Sequence, residues 1–129
     1  MNSVDLQPGM LVTASYKTGE YVAELLEVSS PRALVQILAV VKHPTQGDLH
    51  QPMQAEVAFF HQRRALAFRE KCNVLLSDIR PYRSAAVPDY QASLRQALEK
   101  ELQGLRQTAA WIERSVSELE ALQREYFRA

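Results

Sequence analysis

Cysteine is almost missing from this chain of 129 residues: the single Cys72 cannot close an internal disulfide. A lone thiol fits a reducing compartment and the role of a small buried apolar residue. Glycine is scarce as well, with four in total. No P-loop pattern, no G-x-S-x-G elbow and no cysteine pair occurs, so nucleotide and nucleophile chemistry lack their usual carriers. Net charge is also lacking: 15 Lys+Arg stand against 15 Asp+Glu. The balance holds along the chain, with 9 basic and 8 acidic residues over 1–83 and 6 and 7 over 84–129. Neither a general nucleic-acid binder nor a polybasic membrane-surface protein is expected from it. The longest apolar run, Ile37 to Val41, falls far short of the ~20 residues that span a bilayer. The start, Met1-Asn2-Ser3-Val4-Asp5, shows no signal-peptide succession. A cytoplasmic protein without an intrinsic membrane segment is expected.

What is present is a globular composition, 47% hydrophobic, with two kinds of periodicity. Over residues 1–83 the apolar positions follow strands. Pro8-Gly9 launches a strand in which Met10, Val12, Ala14 and Tyr16 alternate with Leu11, Thr13 and Ser15. Lys17-Thr18-Gly19-Glu20 reads as a hairpin turn with Gly19 in the positive-φ position. A second strand over Tyr21–Val28 ends at Ser29-Ser30-Pro31. Ala33–Val41 reads as a strand buried on both faces. A loop from His43 to Pro52 follows, then a fourth strand over Ala55–Phe60 and a short helical turn or bend around His61–Leu66. A short strand within Phe68–Leu75 and an extended Ile79–Tyr82 complete this half. The pattern predicts an α+β protein whose first domain is a small SH3-like antiparallel β-barrel.

Residues 88–129 follow a helical period. Asp89 is the expected N-cap, and Leu94, Leu98, Leu102 and Leu105 begin one apolar stripe that runs on to Tyr126. Gly104 and Thr108 offer a stop and a second cap, so a helical hairpin is expected; one long helix is the alternative. The helices are expected to pack on or beside the barrel as one compact unit.

Two clusters have the residue types of a working surface. The three histidines, His43, His50 and His61, lie near Asp48 and Glu56. Such a set can close around zinc, but the spacing matches no compact ligand motif, and hydrogen-bonded or solvated loop histidines are the commoner outcome. No bound metal and no cofactor are expected. The second cluster is Phe59-Phe60-His61-Gln62-Arg63-Arg64. On a strand the adjacent rings point to opposite faces, leaving Phe60 outside beside the arginines as an interface anchor or base-stacking platform. Alternatively, both rings are covered, with Trp111 and Phe127 of the helices as candidates for that contact.

Three stretches give the chain a likeness. Tyr16-Lys17-Thr18-Gly19-Glu20-Tyr21, the run Lys42 to His50, and Phe59 to Ala67 resemble kinase-associated protein B of spore-forming Firmicutes. Pro88-Asp89-Tyr90, Ser93-Leu94 and Ala97-Leu98 extend the resemblance into the helical tail. The resemblance implies a non-enzymatic accessory of a sporulation sensor histidine kinase, feeding the phosphorelay that starts spore formation. Members are described as lipoproteins, but the only cysteine here is internal, so no lipid anchor is expected. The expected partner surface comprises Tyr16, Lys42, His43, Asp48, His50, Phe60, His61, Arg63 and Arg64. A homodimer through a strand edge or the helical stripe is compatible with the pattern. Alternatives are an SH3-like nucleic-acid-binding domain and a metal-dependent hydrolase built on His43, Asp48, His50 and His61.

Overall fold

A computed structural model describes residues 5–84 and 86–128; the signal-peptide reading of Met1–Val4 therefore lies outside the described residues. The strands are β1 (Leu11–Tyr16), β2 (Gly19–Ser29), β3 (Arg32–Lys42), β4 (Lys71–Leu75) and β5 (Ile79–Pro81), followed by one helix, α1 (Tyr90–Tyr126). They form a single antiparallel sheet in the order β4-β3-β2-β1-β5. Although they are not neighbours in that order, β1 and β4 approach each other, because the sheet curls. Register shifts in the β2–β3 pair between Glu20 and Tyr21, Val22 and Ala23, and Leu25 and Glu27 supply that bend.

The strand pattern follows from alternation. Val12 and Ala14 of β1, Tyr21, Ala23 and Leu25 of β2, and Ala33, Val35 and Ile37 of β3 are buried together at period two. Val74 of β4 and Ile79 of β5 close the core at the sheet's two ends. The chain forms two compact units, one ending at Leu98 and one beginning at Glu99. The first contains the sheet and the opening turns of α1, whose Ala97 joins the core cluster while Tyr90 and Leu94 pack against it.

Several expectations are corrected. The β1–β2 turn places Lys17 and Thr18 at φ of 45° and 72°, the two positive values that a type I′ turn requires. Gly19 instead opens β2, where a Cβ would meet the Tyr21 ring within 2.9 Å. Its missing side chain makes room for that ring. Second, Ala55–Phe60 is irregular rather than a strand: β4 takes the outer edge of β3 over Arg32–Gln36, and the Ile37 amide and carbonyl bond Glu70 and Arg69, so this segment pairs with no strand. The His61–Leu66 stretch is irregular too. Third, the helical hairpin is replaced by its alternative, one helix of 37 residues that carries Gly104 and Thr108 in its interior. An exposed glycine costs an α-helix only ~1 kcal/mol, too little by itself to end it. Asp89 does cap the helix, its Oδ2 accepting the Ala92 amide at 3.0 Å.

Candidate functional site

The long connection from His43 to Glu70 has no regular structure, so its backbone groups need partners elsewhere. The hairpin supplies the first: Thr18 Oγ1 accepts the Thr45 amide at 2.9 Å, and Lys42 Nζ donates to the Thr18 carbonyl at 3.1 Å. Gln46 supplies the second. Its side chain receives the Arg63 amide at 2.8 Å and donates to the Arg63 carbonyl at 2.9 Å. The Arg63 guanidinium in turn donates to the carbonyls of Thr45 and Gly47, and the Gly47 amide donates to the His61 carbonyl at 2.9 Å. Gly47 sits at φ of 100° with the Phe60 ring 3.0 Å from where a Cβ would lie. The two halves of the connection are thus laced side by side.

Two tyrosines tie this lacing to the sheet and to α1. The buried Tyr21 hydroxyl accepts the Leu66 amide at 3.2 Å. The Tyr90 hydroxyl donates to the Leu66 carbonyl at 2.6 Å. Burial pushes both phenols above their usual pKa, and Glu70 adds to the rise. Ser93, itself buried, completes the attachment by accepting the Val40 amide at 2.9 Å and donating to the Tyr90 carbonyl at 2.8 Å. Val40 lies beside a β2–β3 register shift, where α1 supplies the acceptor.

Between the hairpin and the laced connection lies a cleft of about 540 Å³. Tyr16, Lys17, Asp48, His50, His61 and Arg64 are among its lining residues. Tyr21 and Leu66 also line it. Lys17 Nζ sits 5.4 Å from the Tyr16 ring centroid, and His61 stacks on Phe59 at 6.2 Å. The Asp48 carboxylate accepts the His50 amide at 2.9 Å, which turns the loop at that point.

Of the nine residues expected on a partner surface, Tyr16, Asp48, His50, His61, Arg63 and Arg64 line this cleft. Phe60 is 57% exposed, packed on Gly47. Lys42 and His43 serve the loop itself: Lys42 donates to backbone carbonyls, and His43 Nδ1 lies 3.0 Å from the Pro44 carbonyl. Arg63 also spends its guanidinium on loop carbonyls. The expected opposition of one inner and one outer phenylalanine is overturned, since Phe59 is 71% exposed beside the exposed Phe60; without a strand nothing alternates them. Trp111 and Phe127 are exposed as well. Among the described residues no three His, Cys, Asp or Glu side chains gather as a metal site. The three histidines are not brought together as the metal-dependent hydrolase alternative requires. Sequence reasoning missed Tyr21, Gln46, Tyr90 and Ser93 as organisers. The one local signal was Tyr90 and Ser93 at i, i+3 on the inward face of the first helical turn.

Comparison with known proteins covers nearly the whole chain. The family model described as kinase associated protein B matches residues 16–127. Kinase-associated lipoprotein B of Bacillus subtilis (strain 168) is 42% identical over 122 residues, covering 94% of each chain. The crystal structure of kinase-associated protein B from Bacillus cereus is similar at a TM-score of 0.69 and 36% identity, covering 95% of this chain and 98% of that one.

Proposed function

Because this chain belongs to the kinase-associated protein B family, we propose that it is a non-enzymatic, cytoplasmic binding protein. It acts with a sensor histidine kinase to promote the phosphorelay that initiates sporulation. The observation that carries this reading is the family match over residues 16–127. The cleft beside the β1–β2 hairpin supports it as the contact surface. Tyr16, His50, His61 and Arg64 present aromatic and cationic groups there, and the exposed Phe60 adds a ring next to His61 in the chain, the residue types that anchor protein interfaces. The lacing of the connection by Gln46 and Arg63 holds that surface in one shape before binding, which lowers the ordering cost of association.

No helix among the described residues is long and apolar enough to cross a membrane. On this proposal the kinase's cytoplasmic part is the surface we expect the chain to meet. Capture of that part on immobilised full-length chain tests the reading. Enrichment over a control, reduced by Phe60→Ala and Arg64→Ala, is expected. No enrichment, or variants that capture as well as the wild type, contradicts it.

A further inference from the structure

Among its described residues α1 buries Ser93 and Ala97 and none beyond them. The rest of the helix is nevertheless far from uniformly polar. Leu102, Leu105, Ile112, Val116, Leu119 and Tyr126 are each more than a third exposed, Leu105 at 57% and Leu119 at 64%. Their spacing carries further information. From Leu98 through Leu102, Leu105, Ala109, Ile112, Val116, Leu119 and Gln123 to Tyr126 the steps alternate four and three residues. That is a repeat of about 3.5, which keeps one seam facing a partner helix along a left-handed supercoil.

In heptad terms Leu102, Ala109, Val116 and Gln123 occupy a, while Leu98, Leu105, Ile112, Leu119 and Tyr126 occupy d. We propose that this part of α1 pairs with the same segment of a second copy of the chain, as a parallel two-stranded coiled coil.

The flanking positions identify the occupant. In a parallel pair each g residue faces the e residue five positions on in the other helix. Glu101 then faces Arg106 of the second copy, and Leu122 faces Phe127. Thr108 and Ser115 face Glu113 and Glu120, so no like charges meet. Set antiparallel, the same seam brings e against e, and Glu99, Glu113 and Glu120 make three of its five e positions acidic. Val116 at a with leucine at d favours two parallel strands, and a polar residue such as Gln123 at a fixes register at some cost in stability. The Arg114–Glu118 ion pair, 3.0 Å long, falls at f and c, outside the seam.

Sedimentation equilibrium of the full chain from ~1 to ~100 μM tests the proposal, a range that brackets micromolar self-association. The expected mass is twice 14.6 kDa. Leu105→Glu with Ile112→Glu should return the mass to that of one chain while the sheet still unfolds cooperatively in urea, because both side chains are exposed in the single chain. Glu101→Lys should weaken self-association roughly tenfold, and adding Arg106→Glu should restore it. In a Cys72→Ser background, Leu105→Cys should cross-link on oxidation, since only the parallel seam brings two copies of residue 105 together. A single-chain mass throughout the range overturns the proposal. So does a dimer that survives the double glutamate variant, or one that fails to cross-link. A chain that stays single yet loses kinase capture in the glutamate variant assigns the stripe to a partner helix, and overturns it equally.

Discussion

Replacing Ser93 by alanine sets two effects of opposite sign against each other. Alanine is the better helix former, which taken alone would stabilise α1 by roughly 0.5 kcal/mol. The Ser93 hydroxyl, however, accepts the Val40 amide at 2.9 Å, and Val40 is only 4% exposed. Without that acceptor the amide is buried and unpaired, at a cost of ~1–3 kcal/mol. The net expectation is a loss of about 0.5–2.5 kcal/mol, or a melting temperature lower by about 2–12 °C for a unit of this size. Urea unfolding followed by circular dichroism and by Trp-independent near-ultraviolet signals of the tyrosines measures it. Ser93→Thr, which keeps the hydroxyl, should recover part of the loss. A Ser93→Ala protein as stable as the wild type, or more stable, would refute the view that this bond fastens the start of α1 to β3.

Three further substitutions or conditions probe other joints. Gly104→Ala should stabilise α1 by about 0.5–1 kcal/mol, because an added Cβ meets nothing within 4 Å; a lower melting temperature would contradict a continuous helix there. Gly47→Ala should cost about 1–3 kcal/mol, since an L-residue at φ of 100° is strained and its Cβ would lie 3.0 Å from the Phe60 ring; an unchanged urea midpoint would contradict that close approach. The raised phenol pKa values of Tyr21 and Tyr90 mean that the unfolded chain gives up these protons first. Their stabilisation is therefore complete below about pH 10 and is lost as pH climbs through the raised native values. Unfolding midpoints measured upward from neutral pH should fall in that window, less steeply for Tyr90→Phe, and a flat profile would contradict the assignment.

The first strand was legible because the alternation of Val12 and Ala14 is the imprint of one face meeting the core. For β3, burial on both faces was expected, but Ala33, Val35 and Ile37 alternate with half-buried Leu34, Gln36 and Leu38, so only one face meets the core. Asp89 was legible because capping is local. The fourth strand was misread because Ala55–Phe60 has a strand's apolar content, but whether it pairs depends on which sheet edges remain free. The helical hairpin was misread because Gly104 and Thr108 are weak stop signals, and the residues around them are good helix formers. In the candidate site, the histidine and arginine clusters contribute His50, His61, Arg63 and Arg64 to the lining of one cleft. They did not show that Arg63 and Lys42 face their own loop. Nor could local pattern reveal Tyr21 and Tyr90 converging on Leu66 from 45 and 24 residues away.

The measurement closest to the central proposal is a titration of the full chain against the cytoplasmic part of a sensor histidine kinase, by calorimetry. The account predicts saturable binding, weakened at least about tenfold by Arg64→Glu and His61→Ala together. Both side chains are exposed in the cleft and neither side chain makes a hydrogen bond among the described residues, so the fold and melting temperature should be unchanged. Absence of binding by the wild type, or undiminished binding by a folded double variant, would contradict it.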